Sequence, residues 1–290
     1  MSPMQRVIKL LATVFAVILA VSIVSAIIGS ILGAIISFFP GHKESGNDSQ
    51  LKSHEYCLDD VREIIIESDI ADMELVTSID ANEESVTVML DQVDESHEVT
   101  LQDGCLRIKS DKRKNILSFL GDVFEGDETV EGVIKVVVPS EQLIENTEIK
   151  SEYGSVKIRG LHSEQMDVSL NTGNVTCEKV VVKKFLGKTE IGEASFKECR
   201  FTNAEIMGGA GDIYFEGMLL GNNHVKGSVG KMKFNLHMKQ EDCSLDISNG
   251  MGNVYIDGQK YEKEEYRGNG ADNHISVDVG MGNINFNFES

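Results

Sequence analysis

From Val61 onward the chain writes apolar and polar residues in short alternating runs. "VREIIIESDIADMELVTS" (residues 61–78), "HEVTLQDGCLRIKS" (97–110) and "GVIKVVVPSEQLIENTEIKSEYGSVKI" (132–158) are strand-like stretches interrupted by polar turns. Period-two alternation predicts strands that bury one face, and Pro139 falls at a strand end, where no ladder donor is missed. After Phe39 a long amphipathic pattern is absent. The exception is "NILSFLGDVFEGDETVEG" (115–132), where Ile116, Leu117, Leu120 and Phe124 predict a short helical face that packs on the strands or caps them.

The second half adds a repeat. Aligned on glycine, it reads "GSVKI" from Gly154, "GNVTC" from Gly173, "GKTEI" from Gly187, "GDIYF" from Gly211, "GKMKF" from Gly230, "GNVYI" from Gly252 and "GNINF" from Gly282. The six intervals average near 21 residues, with a short one of 14 before Gly187 and a long one of 30 before Gly282. A period of this size carrying one short strand is the signature of stacked repeats. Glycine can turn the corner at positive φ, and the two apolar residues that follow, such as Val254 and Ile256 around Tyr255, form a wall. One such strand cannot bury its face alone, whereas copies stacked at about 4.8 Å line a continuous interior. The predicted fold is therefore all-β: a β-solenoid of roughly 9 to 11 rungs. A two-sheet antiparallel β-sandwich also gives many short strands, but it has no need of this repeat.

Before the strands comes a different solvent. Leu10 to Phe39 is thirty residues without a charge, longer than the about 20 that cross a bilayer core. The run continues past the small-residue "VSA" at 24–26, which favours an uncleaved anchor over a signal peptide. The expected organisation is a tail (1–9), one transmembrane helix (10–39), a polar tether (40–58) and the β-solenoid (59–290). Arg6 and Lys9 precede the helix and Lys43 and Lys52 follow it, a near tie that we read as N-inside, with the β-domain extracytoplasmic. Within the helix, Ser25, Gly29, Gly33 and Ser37 form one line at spacing four, and Ser22, Ala26, Ser30 and Ala34 the next. Together they predict a groove for close helix–helix approach, hence homo-oligomerisation through the membrane helix.

Charge narrows the partners. From Gly41 onward 47 acids face 25 bases, a formal net charge of −22. Such a domain repels nucleic acid and anionic headgroups. The five cysteines form no C-x-x-C pair and the seven histidines no H-E-x-x-H, so neither a metal, a cofactor nor a structural disulfide is expected. "GGAGD" (208–212) resembles one calcium-binding repeat, but it stands alone with its Asp one residue early, and is read as a corner. Outward positions Lys157, Thr176, Glu190, Tyr214, Lys233, Tyr255 and Asn285 are a mixed series without the stacked acids a polysaccharide-cleaving β-helix would need.

The opening "VREIIIESDIADMELVTS", then "DGCLRIKSDK", "IKVVVPSEQL" and the glycine units, in that order, resemble the putative-adhesin family of bacterial β-strand-repeat proteins across most of residues 60–288. That resemblance implies a right-handed single-stranded β-solenoid (parallel β-helix), commonly membrane-tethered, with no established catalytic centre, and it carries over no functional residue. The function expected is a non-enzymatic, adhesin-like or scaffold contact surface in the cell envelope, touching an envelope component or a protein. The alternatives are an envelope-stress sensor signalling through its membrane helix, a polysaccharide-active enzyme, and a filament built end to end.

Overall fold

Strand after strand buries every second side chain, and the burial is arranged by stacking rather than by hairpins. A computed structural model of the chain describes residues 52–80, 83–93, 97–110, 132–140, 142–261, 265–267 and 272–289. The expected membrane helix (10–39), with its small-residue stripe, lies outside the described residues. So does nearly all of the expected helical insert (115–131).

Pairing starts at β1 (Lys52–Leu58), inside the segment expected as tether. There follow β2 (Glu63–Ile70), β3 (Asp72–Thr77), β4 (Val86–Val93), β5 (Glu98–Gln102), β6 (Cys105–Lys109) and β7 (Val133–Val138). The regular section holds β8 (Leu143–Tyr153) with β9 (Val156–Arg159), β10 (His162–Thr172) with β11 (Val175–Glu178), and β12 (Val181–Ile191) with β13 (Ala194–Thr202). It continues through β14 (Ala204–Ala210) with β15 (Ile213–Leu220), and β16 (Asn222–Val229) with β17 (Met232–Leu236). The end comprises β18 (Cys243–Met251), β19 (Val254–Ile256), β20 (Gln259–Tyr261), β21 (Glu265–Arg267), β22 (Asn273–Met281) and β23 (Ile284–Phe288).

Each rung gives one strand to each of two parallel ladders. The first runs β6-β2-β8-β10-β12-β14-β16-β22-β18. The second runs β7-β3-β9-β11-β13-β15-β17-β23-β19. Nine rungs are thus stacked among the described residues, with the curvature of a solenoid. An antiparallel sandwich is ruled out by the parallel pairing. Val254 pairs with Ile284 and Tyr255 with Asn285, so the two Gly-Met-Gly-Asn copies are neighbours in space.

The order of rungs departs from chain order at both ends. The first rung of the sequence, β2–β3, lies second in the stack, beneath β6–β7 and against β8–β9. The last, β22–β23, is inserted between β16–β17 and β18–β19. Antiparallel strands then cover the terminal rungs: β5 on β6 and β4 on β7 at one end, β21 on β18 and β20 on β19 at the other. A bare end rung would present a row of open donors and acceptors to another chain. Covering those rungs shifts the open edge from the parallel stack to the covering antiparallel strands.

Inside, side chains from successive rungs form columns. In the second ladder Cys177, Phe196, Phe215, Phe234, Phe286 and Ile256 stand in one register, all nearly or fully buried. Phe234 and Phe286 stack with centroids 4.5 Å apart, and Phe185 from the first ladder stacks on Phe201 at 4.3 Å. Full burial of each ring contributes on the order of 2–3 kcal/mol. A single rung would expose one side of its rings, so stability belongs to the stack.

Candidate contact surface

The glycine column sets the geometry of the surface. Between the two ladders the chain turns at Gly154, Gly173, Gly211, Gly230, Gly282 and Gly252, each at strongly positive φ. Gly187, the remaining glycine of the sequence repeat, does not belong there. It lies within β12, paired between Val168 and Ile206, and a Cβ on it would meet the Phe185 ring at 2.7 Å. Its task is to leave room for that ring. The corner of this rung is Gly192, φ +143°, where a Cβ would lie 1.9 Å from the carbonyl oxygen of Gly173. With Gly192 in place, four successive intervals from Gly154 to Gly230 are 19 residues each, and the irregularity is confined to the intervals after Gly230.

The residue after the corner ties adjacent rungs together. Asn174 Oδ1 accepts from the Glu193 amide at 2.8 Å, Asp212 Oδ1 from the Lys231 amide at 2.7 Å, and Asn283 Oδ1 from the Asn253 amide at 2.9 Å. Asp212 of "GGAGD" therefore serves a neighbouring backbone. Among the described residues, no group of three or more His, Cys, Asp or Glu is placed to hold a metal ion.

The residue before the corner points outward. In the first ladder Tyr153, Thr172, Ile191, Ala210, Val229, Met281 and Met251 share one register. The five large apolar members, Tyr153, Ile191, Val229, Met281 and Met251, are between 43% and 58% exposed. They are nearly half of the exposed large hydrophobics among the described residues, brought to one edge. Gly250 and Gly280 precede Met251 and Met281, and the corner glycines follow Val229, Met251 and Met281. The seven registers span about 29 Å at the usual strand separation. Thr172 and Ala210 interrupt the row, and an exposed apolar alignment of this length is uncommon on a solvated surface.

The second ladder presents another face. Lys157, Thr176, Ser195, Tyr214, Lys233, Asn285 and Tyr255 occupy one outward column, which unites six of the outward positions expected from sequence. Glu190 does not join them, because it lies in β12 of the first ladder. Burial, with a hydrogen bond to Glu216, raises the Tyr214 phenol above its ordinary pKa. The cysteines are all free. Burial pushes Cys177 well above its usual value and Cys199 up to about 11, so both stay thiols at neutral pH.

A family model described as Toastrack DUF4097 matches residues 61–287. The chain belongs to that family. This Toastrack chain is 23% identical over 128 residues to an uncharacterized lipoprotein of Treponema pallidum, a match covering 44% of the chain and 38% of that relative. The match thus spans well under half of the relative's length. Among solved structures, the chain is similar to a putative adhesin from Bacteroides fragilis (14% identity, 83% of this chain, 98% of that one, TM-score 0.47). It is also similar to a putative cell adhesion protein from Clostridium sporogenes (14% identity, 83% and 100% covered, TM-score 0.34).

Gly192 and the apolar edge were missed in the sequence, though both leave a signal there. Reading at a period of 19 picks out Gly192, and the residue before each corner glycine then spells Tyr, Thr, Ile, Ala, Val, Met, Met.

Proposed function

We propose that this Toastrack protein is a non-enzymatic contact surface of the cell envelope, held to the membrane by the apolar segment 10–39 and acting through its exposed apolar edge. The observation that carries the reading is the alignment of Tyr153, Ile191, Val229, Met281 and Met251 in one register. A right-handed winding, the norm for parallel crossovers, sets this edge along the rod. The uncharged thirty-residue run supports anchoring, and the name of the Treponema relative, a lipoprotein, is consistent with a membrane address. Adhesin-like contact suits a long ridge better than catalysis does. The outward column of the second ladder from Lys157 to Tyr255 mixes lysine, hydroxyl, amide and phenol groups and holds no carboxylate pair.

Two measurements test it. A photo-crosslinking residue placed at Val229 or Met281 in intact cells should give adducts of discrete mass, and one at Thr176 on the other ladder should not. Equal patterns from all three positions, or none, would remove the edge from the account. Topology is read at the exposed Cys57, with the other four cysteines replaced. Labelling of intact protoplasts by an impermeant maleimide is expected, and labelling only after lysis would place the domain in the cytoplasm and exclude adhesion.

A further inference from the structure

The outward face of the last rungs on the second ladder has a chemistry unlike the apolar edge. A shallow groove of about 350 Å³ is lined by Lys233, Tyr255, Gly258, Asn285 and Asn287. Its residues come from three adjacent strands, β17, β23 and β19, and from the turn that follows β19. Lys233 pairs with Asn285 and Asn285 with Tyr255, so an ammonium, an amide and a phenol succeed one another at the rung spacing.

A second column holds this one in place. Asn287 Nδ2 donates to Asn235 Oδ1 at 2.8 Å, and Asn235 Nδ2 donates to the Tyr214 hydroxyl at 3.0 Å. Tyr214 in turn donates to Glu216, and the Lys233 ammonium sits 5.8 Å from the centre of the Tyr214 ring. This relay uses one amide hydrogen of Asn287. The Asn285 side chain makes no hydrogen bond within the described residues. Gly258 is at φ +76° and a Cβ there would meet nothing within 4 Å, so the mouth is open above it.

We propose that this groove binds a neutral saccharide chain. A pyranose offers an apolar C–H face to an aromatic ring and a rim of hydroxyls, each at once donor and acceptor. Tyr255 supplies the ring. The Asn285 and Asn287 amides supply paired donors and acceptors, and Lys233 adds three donors. A linear saccharide repeats its hydroxyls at a spacing comparable to the rungs, so successive sugar units meet successive residues of the column. The net charge of −22 beyond residue 40 repels polyanions, which disfavours nucleic acid and highly acidic glycans. The groove is too shallow and polar for an apolar ligand, and it lies on a face, away from the strand edges a peptide would extend. The site is separate from the apolar edge and stands or falls independently of it.

The test exploits the absence of Trp and the presence of only 6 Tyr, which make tyrosine emission readable. Full-length protein in detergent micelles is titrated with cello-, chito-, manno- and xylotetraose. A saturable change in tyrosine emission is expected with at least one of them, and calorimetric titration with that sugar should show binding weakened tenfold or more by Tyr255→Ala and by Asn285→Ala. Lys233→Met, at an exposed position that folding does not need, should weaken it several-fold, whereas Val229→Lys on the edge should leave it unchanged. No response to any of the four sugars would overturn the proposal. So would a response that survives Tyr255→Ala in a variant of normal melting temperature, or binding confined to a salt-sensitive polyanion such as heparin.

Discussion

Alanine at Gly192 should cost far more than alanine at Gly258, although both glycines have positive φ. At Gly258, φ +76° with nothing within 4 Å of a Cβ, the penalty is conformational alone, about 1–2 kcal/mol. At Gly192 the same methyl would lie 1.9 Å from the Gly173 carbonyl oxygen. A carbon–oxygen contact relaxes to about 3.3 Å, so the rungs must part by more than 1 Å at this corner. Two backbone bonds hold them there, Gly173 N–H to Ile191 O at 2.9 Å and Val175 N–H to Glu193 O at 2.9 Å, whereas Gly192 N–H to Ala210 O at 3.0 Å ties the corner to the next rung. Stretched by that amount, the first two leave hydrogen-bonding range. At about 1 kcal/mol each, added to the backbone strain, the total reaches about 3–4 kcal/mol. Urea unfolding of the full chain in micelles, followed by far-UV circular dichroism, would read the difference. With a slope of about 2–3 kcal/mol/M, Gly192→Ala should lower the midpoint by roughly 1 M more than Gly258→Ala does. Midpoints within about 0.2 M of each other would refute the close-approach reasoning.

The remaining predictions concern the core and its thiols. Phe215→Ala removes a fully buried ring from the phenylalanine column and should cost about 3–5 kcal/mol in the same assay, whereas Ile191→Ala on the exposed edge should stay within about 0.5 kcal/mol. Cys199, with its pKa pushed up to about 11 by burial, keeps a proton that the unfolded chain releases at about 9. Its contribution is therefore complete below pH 9 and is lost as pH rises through 11. The loss is on the order of 2–3 kcal/mol, and Cys199→Ala should flatten this part of the urea-midpoint profile; an unchanged slope would contradict it.

The fold was legible where local pattern and stacking demand the same residue. Val254 and Ile284 have to be apolar, and Gly252 and Gly282 have to be glycine, because each meets its own copy in the next rung. Gly187 misled because it is followed by the same polar–apolar alternation, yet its reason for being glycine is the bulk of Phe185 two residues away, a matter of three-dimensional packing. Rung order was not legible at all. Nothing in "GMGN" says which copy lies inside, since both copies carry the same motif and only the partner strands β20 and β21 mark which one is outermost. The apolar edge was hidden for the opposite reason. A hydrophobic residue beside a strand is ordinarily assigned to the core, and only the register reveals that Ile191 and Met281 point out.

The inserted last rung also sets a clock on biosynthesis. β18–β19 leaves the ribosome first, but the strands it must lie against, β22–β23, follow 30 residues later, from Gly252 to Gly282. At about 5–20 residues per second, the outer rung waits roughly 1.5–6 s with its parallel side unfilled. β20 and β21 cover the opposite edge meanwhile and leave that side open. A chain that stalls or is cut before Asn273 leaves two rungs without their common neighbour, and the stack becomes continuous only when β22–β23 enters between them.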